Sequence, residues 1–209
     1  VENTIVGGLA GDSLTTGSYN VAIGKDALSA EDTGSRNVAI GRKALTNQNY
    51  DGAAYNIAIG YEAGKEVSTG IVNTIIGGFA GDALTTGSAH VAIGYQALST
   101  EDVGNSCIAI GYQALLNQNV DGEVHNIAIG RAAGKEITTG TENTIVGGLA
   151  GDAMTIGNQN VALGYAALGA NVAADRNVAV GHSALSNMTS ASTTDRYNTA
   201  VGFYAGQAI

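Results

Sequence analysis

Along the chain, one short pattern of polar, apolar and glycine positions returns from end to end. An asparagine is followed by three mostly apolar residues, then by a glycine, and three positions later by an alanine, as in residues 20–27 and 37–44. The glycine and the alanine are present in all twelve copies. Such a short repeat, carried without interruption, predicts one structural element stacked on copies of itself rather than folded around a central core.

The spacing of the copies adds a longer period. The copies follow one another in 17-residue steps, except for 19-residue steps after the third and seventh copies and a 21-residue step before the last. A 70-residue unit therefore recurs, and we predict one repeat solenoid over 1–209 with units 3–72, 73–142 and 143–209. The repeated asparagines are Asn3, Asn20, Asn37, Asn56, Asn73, Asn126, Asn143, Asn160, Asn177 and Asn198, and His90 and Cys107 take this position in the other two copies.

Each copy predicts a strand between two turns. Residues such as 21–23 are mostly β-branched and favour a strand, and the glycine that closes them favours a turn with positive φ or a tight backbone contact. The later alanine predicts a corner or a short second strand. A second turn, Thr-Thr-Gly or similar, is enlarged to 47–52 and 117–122 in the 19-residue copies, which places these loops on one edge. The sequence thus predicts an all-β fold, a parallel β-solenoid of about twelve coils.

Stacking of the coils places the repeated asparagines above one another. Their amides can hydrogen-bond along such a ladder and satisfy polar groups that would otherwise be buried alone. Because this structural role explains every one of these residues, we favour it over a metal-binding or catalytic role.

The strand faces predict self-association. All three residues of 108–110 are apolar, although alternation turns the first and third to one face and the second to the other. Strands that are apolar throughout are normally covered on both faces. One face can line the coil interior, and the small alanine at the middle position would let another backbone approach closely. We expect a parallel homotrimeric fibre; the alternative is a lone solenoid with an apolar stripe.

Composition removes several classes of function. The chain has 31 glycines, no proline, no tryptophan and a formal net charge of -9. It has no basic stripe to neutralise phosphates, so nucleic acid is not an expected partner. No stretch approaches the roughly 20 apolar residues of a membrane span, so we expect no membrane insertion. The single cysteine, Cys107, cannot form an intramolecular disulfide, and we expect a small buried side chain rather than a reactive thiol.

Catalytic and metal sites are not expected. Calcium repeats place an aspartate in nearly every coil, whereas the aspartates that end glycine-rich segments here return only once in each long unit. The three histidines fall at unrelated positions of the repeat. No nucleophile, base and orienting acid recur as a group, so we expect no enzyme, no cofactor and no metal. Threonine rows would suit an ice-binding face, but Asp32 and Asp102 interrupt them.

The motif resembles two families of extracellular fibres. Residues 37–45, Asn-Val-Ala-Ile-Gly-x-x-Ala-Leu, resemble the head repeats of trimeric autotransporter adhesins, and Asn-Thr-x-(Ile/Val)-Gly with Thr-Thr-Gly resembles repeat regions of bacteriophage tail fibres. The resemblance covers the whole chain. It implies a left-handed parallel β-roll assembled as a trimer, exposed outside a cell, on a cell surface or on a virion, and binding a surface.

Three functions follow as expectations. The first is a structural shaft that spaces or presents surface-binding elements. The second is an adhesin module that binds a glycan or host receptor, with tyrosines in the variable turns as candidate contacts: Tyr50, Tyr55, Tyr112 and Tyr197. The third is a secreted filament joined end to end, because the chain begins and ends in mid-repeat, with open edges expected at Val1 and Ile209. These ends also predict a segment of a longer fibre.

Overall fold

The computed structural model describes residues 2–189 and 196–207, and these residues form one twelve-stranded parallel sheet in which each strand pairs with the next along the chain. This confirms the predicted all-β parallel solenoid. The strands are β1 (Thr4–Val6), β2 (Val21–Ile23), β3 (Val38–Ile40), β4 (Ile57–Ile59), β5 (Thr74–Ile76), β6 (Val91–Ile93), β7 (Ile108–Ile110), β8 (Ile127–Ile129), β9 (Thr144–Val146), β10 (Val161–Leu163), β11 (Val178–Val180) and β12 (Thr199–Val201). Val1 and Ile209, the expected open edges, lie outside the described residues.

The register stacks equivalent positions on one another. Ala22 of β2 lies beside Ala39 of β3, which lies beside Ala58 of β4, and the same register holds through the sheet. At about 4.8 Å per step, eleven steps give a stack about 53 Å long. The described residues contain no helix of the length and hydrophobicity that a membrane span requires.

The glycine after each strand turns the chain and lets two coils approach closely. Gly24 has φ 131°, and a Cβ on it would lie 2.5 Å from the carbonyl oxygen of Gly41. Both predicted reasons for this glycine, positive φ and a close backbone contact, are therefore confirmed.

The alanine three residues later forms a corner. The Ala27 N–H donates to the Gly24 carbonyl at 3.3 Å, and Ala27 and Leu28 are fully buried. Of the two structures predicted for this segment, the corner is the one observed, because β2 is the only strand described in this coil.

The middle residue of the strand points inward, which corrects the expected position of the small alanine. Ala22, Ala39 and Ala58 are fully buried, and the larger first and third residues face outward. In the coils of Ala22 and Ala39 the corner carries leucine, which leaves room for only a small side chain at the middle of the strand. Bulky aliphatic side chains, rather than alanine, therefore cover the outer face.

The side chains that fill the coil interior differ in size from coil to coil, and a small residue at one core position is matched by a larger one at another. Where the corner carries leucine, as at Leu98, the strand contributes Ala92, and the residue three positions after the leucine is polar, here Glu101, except for Met188 after Leu185. Where the corner carries Gly81, a Cβ would lie 2.8 Å from Leu84 Cδ1 and 3.4 Å from Ile75 Cδ1. Leucine and glycine at the corner thus mark two ways of filling the same interior.

Residues other than glycine adopt left-handed backbone conformations at three positions of the coil. Examples are Val72 before the asparagine (φ 60°), Phe79 six residues after it (φ 55°) and Leu98 eight residues after it (φ 54°). These sharp bends close each short coil. The sequence did not predict them, because such conformations are usually assigned to glycine or asparagine.

The two extra residues of the 19-residue copies lie in one loop. The Asn49 N–H donates to the Ser68 carbonyl at 2.8 Å, as the Thr15 N–H does to the Asp32 carbonyl at 2.8 Å in a 17-residue copy. The ladder is therefore undisturbed as far as Asn49, and the insertion is confined to 50–53. The loop is narrower than the predicted 47–52.

Candidate functional site

The repeated asparagines connect each coil to the next through backbone groups. Asn73 Nδ2 donates to the Gly87 carbonyl of its own coil at 2.9 Å, and its Oδ1 accepts the His90 N–H of the next coil at 2.9 Å. Direct bonds between amides also occur toward the end of the stack, for example from Asn160 Nδ2 to Asn143 Oδ1 at 3.1 Å. The repeated asparagines from Asn20 to Asn177 are buried, those at Asn3 and Asn198 are partly buried, and together they make a structural ladder.

His90 and Cys107 replace asparagine for two different reasons. The His90 Nε2 lies 2.6 Å from the Gly104 carbonyl and its Nδ1 lies 3.2 Å from the Cys107 backbone N, so a neutral imidazole reproduces both bonds of asparagine. Burial lowers the pKa of His90. Cys107 follows in a 19-residue copy, where the inserted loop moves the carbonyl away. In the equivalent copy Asn37 Nδ2 is buried without a partner.

Burial also raises the pKa of Cys107 and of two core carboxyls. It raises the pKa of the Cys107 thiol to about 12. Glu31 is fully buried and accepts the backbone N–H of Gly34 at 2.7 Å and that of Tyr50 at 3.3 Å. Desolvation nevertheless raises the pKa of Glu31. Glu101 stands in the same place one unit later and holds the second inserted loop, so both carboxyls are structural.

The outer face of the sheet, defined as the first and third side chains of every strand, is an aliphatic surface that only threonines at the first position of four strands interrupt. Val21, Ile23, Val91 and Ile93 are half-buried although no other described element of the chain covers them. Equivalent side chains directly above and below provide this partial shielding. The face contains no charged side chain from β1 to β12, which is typical of a protein interaction surface.

A second surface, the aromatic row, begins two residues beyond the outer face, past the glycine turn. Its members lie five or six positions after the repeated asparagine. They are Tyr61, Phe79, Tyr95, Tyr112, Tyr165, His182, Phe203 and Tyr204. Tyr95 stacks on Tyr112 with ring centroids 5.7 Å apart, and Tyr165 stacks on His182 at 5.1 Å. The tyrosines of the row remain 42% to 50% exposed, so they offer ring edges and hydroxyls to a partner.

Cations adjoin the row at two places. Arg42 donates to the Tyr61 hydroxyl at 2.7 Å, lies 5.4 Å from the ring centroid and is 4.0 Å from a Glu62 oxygen. Arg131 follows Tyr112 in the next coil and is exposed. Within the described ranges its side chain has no ion pair or hydrogen bond. Arg131 is therefore available to a ligand, whereas Arg42 is engaged within the chain.

The candidate tyrosines from the sequence lie on different parts of the solenoid. Tyr112 belongs to the aromatic row. Tyr55 is on the opposite edge, directly before the asparagine position, where the Arg36 guanidinium lies 5.6 Å from its ring and 5.5 Å from that of Tyr19. Tyr197 is on this same edge eight coils later, about 38 Å away. The structure does not bring these side chains together.

Tyr50 lies in the first inserted loop. It borders an open groove of about 480 Å³ with four other residues: Asp32, Asn49, Asp51 and Thr69. Thr33 Oγ1 donates to Asp51 Oδ1 at 2.7 Å, which ties this loop to the preceding coil. Among the residues that the structure describes, no group of three or more His, Cys, Asp or Glu side chains could hold a metal ion. The groove is thus formed by the inserted loop, and its lining residues do not provide a set of metal ligands.

The sequence analysis missed most residues of the aromatic row, because it selected tyrosines for their location in variable turns. Aligning the copies on the asparagine would have found the row, since Tyr61, Tyr95, Tyr112 and Tyr165 all stand five residues after it. The chain matches no protein-family model, no curated protein and no solved structure.

Proposed function

We propose that this chain is a structural shaft segment of a trimeric fibre, exposed outside a cell or on a virion, that spaces or presents surface-binding elements. The aliphatic outer face carries the proposal. Three parallel copies that pack these faces together would cover side chains such as Ile76 and Ile93, which the chain itself leaves half-buried. The resemblance to trimeric fibre repeats supports the number of copies.

Stiffness along the axis supports the same role. Every strand pairs in register with its neighbour, and backbone bonds between coils continue around the corners, as from the Leu28 N–H to the Ala44 carbonyl at 3.0 Å. A stack in which each coil is bonded to the next around its circumference resists bending and keeps a fixed rise per copy. These are the properties of a spacer.

Light scattering tests the assembly. We expect a mass of three times 20.9 kDa that is stable on dilution. Ile76→Lys with Ile93→Lys places charges in the outer face and should give monomers with unchanged circular dichroism, since unpaired charges disfavour burial. Thr16→Lys with Thr86→Lys, on the exposed second turn, is the matched control and should remain trimeric. A wild-type monomer, or a trimer that survives the isoleucine changes, would contradict the proposal.

A further inference from the structure

The aromatic row has a gap between Tyr112 and Tyr165. The two intervening coils contribute Arg131 and Gly148 at the same position of the repeat. Tyr165 stacks on His182 on its far side, and no ring contact to its near side is present in the described part of the chain. Two successive coils therefore lack a ring in a row whose other members, from Tyr61 to Phe203, contact one another.

The preceding unit shows how the equivalent place is filled. There Phe79, beside Gly78, contacts Tyr61 on one side at 5.1 Å and Tyr95 on the other at 6.0 Å between ring centroids. In the later unit Leu149 replaces Phe79, and Arg131 replaces Tyr61. The gap is thus a local departure from a packing that the same backbone accommodates elsewhere.

The dimensions of the gap suit one six-membered ring. Arg131 and Tyr165 are two coils apart, or about 9.6 Å, and the coil between them carries Gly148 and Leu149. A ring that lies over these two residues would be about 4.8 Å along the axis from both Arg131 and Tyr165. This is close to the stacking distances within the row. Tyr165 Cδ2 lies 3.6 Å from where a Gly148 Cβ would be, as Tyr95 Cδ2 does at Gly78, where the neighbouring Phe79 ring is accommodated. A side chain at position 148 would occupy the space next to the Tyr165 ring.

The charge at the gap favours an anion. Arg131 is the exposed guanidinium without an internal partner described above. From Tyr95 to Ser183, the positions five and six residues after each asparagine contain no carboxylate. The first part of the row differs, since Glu62 there lies 4.0 Å from both Arg42 and Lys43. A guanidinium in such surroundings can accommodate a carboxylate with two parallel hydrogen bonds.

We propose that Arg131, Gly148, Leu149 and Tyr165 form a slot for an acidic pyranose, a sugar of the uronic acid type within a surface polysaccharide. The Tyr165 ring and Leu149 contact the apolar face of the sugar, and Arg131 binds its carboxylate. Gly148 leaves room for the ring. The polymer then continues along the fibre axis over the Tyr112 and Tyr95 hydroxyls. This binding activity goes beyond a shaft and does not depend on the number of chains in the fibre.

Calorimetric titration with two tetrasaccharides tests the slot. One probe alternates glucuronate with N-acetylglucosamine, and the other contains N-acetylglucosamine alone. We expect the acidic probe to bind wild type, and Arg131→Gln to weaken it about tenfold or more, as expected for loss of a charge-assisted contact. Arg36→Gln, which removes a guanidinium between tyrosines on the opposite edge, is the control and should bind as wild type.

A filled-gap variant separates binding from folding. Arg131→Tyr with Leu149→Phe copies the packing of Tyr61 and Phe79, so it should keep the wild-type melting temperature and lose binding of the acidic probe. Retained binding in this variant would overturn the slot. Equal affinity of wild type for the two probes would overturn the role of Arg131, and absence of binding to the acidic probe would overturn the proposal as a whole.

Discussion

The Nδ1 atom of the His90 imidazole accepts a hydrogen bond from the backbone N–H of Cys107 in the next coil at 3.2 Å. On the other side of the ring, Nε2 faces the Gly104 carbonyl at 2.6 Å. The carbonyl can only accept, so the proton of the neutral ring is on Nε2. A second proton on Nδ1 would break the bond to Cys107 and place a charge in a buried site.

His90 should therefore make stability depend on pH. Burial lowers its pKa in the folded chain below the ordinary 6.5. The unfolded state then binds more protons as pH falls through 6.5, so the contribution of neutral His90 is complete above this value and is lost progressively below it. We expect wild type to lose stability relative to His90→Asn between about pH 7.5 and pH 5, a window that includes the ordinary histidine pKa of about 6.5.

Urea unfolding of both proteins across this range measures the difference and cancels groups common to them, including Asp82, whose pKa burial raises to about 6. His125→Asn, at an exposed histidine, controls for loss of an imidazole. A constant difference between wild type and His90→Asn would contradict the assignment of a neutral buried ring.

The asparagine ladder should be strongest where both amide groups are paired. Asn73→Ala leaves the Gly87 carbonyl and the His90 N–H without partners, and we expect a loss of about 2–4 kcal/mol in the free energy of unfolding. Asn37→Ala removes an amide whose Nδ2 already lacks a partner and should cost about 1–2 kcal/mol. Chemical denaturation compares the two; equal losses would mean that the unpaired Nδ2 has no energetic consequence.

A larger side chain at the corner should be tolerated only when the neighbouring core side chains are made smaller at the same time. Gly81→Leu alone overfills the coil against Leu84 and Ile75, and we expect a loss of about 3 kcal/mol or more. Adding Ile75→Ala and Leu84→Gln recreates the set found at Ala39, Leu45 and Gln48 and should recover most of it. Leu45 and Gly81 have φ of 48° and 50°, so leucine fits this backbone. Melting temperatures of the single and triple variants check the compensation, which a triple variant as unstable as the single one would refute.

A substitution at Val72 should stabilise the folded chain. Val72 is β-branched, 54% exposed and held at φ 60°. Such residues avoid the left-handed region, whereas asparagine tolerates it. Val72→Asn should raise the free energy of unfolding by about 0.5–1 kcal/mol, as chemical denaturation would measure. Val172→Asn, at another exposed valine without a positive φ, is the control and should give no such gain.

The sequence was sufficient for the main features of the solenoid. Repetition specified the stacking, the β-branched residues of 91–93 specified a strand, and Gly94 specified the turn. These features depend on local chemistry that recurs in every copy. The inward direction of Ala92 was not predicted, because alternation defines two faces without indicating which one meets the narrow interior.

The remaining features arise from contacts between coils. Left-handed residues such as Val72 and Phe79 carry no compositional signal, because closure of the coil imposes their conformation. The unpaired amide of Asn37 depends on how far an inserted loop moves one carbonyl. The gap beside Tyr165 depends on four successive coils compared in register, so the choice of tyrosines by their turns did not identify it.

Each strand contacts only the strands immediately before and after it. The contacts of a strand therefore do not depend on how many copies the chain contains. If a 70-residue unit were added or removed, the remaining coils would keep the same kinds of contact. Unequal exchange between repeats of the gene can then lengthen or shorten the molecule in steps of about 19 Å. The length of the solenoid can then change by mutation while the packing of its interior stays the same.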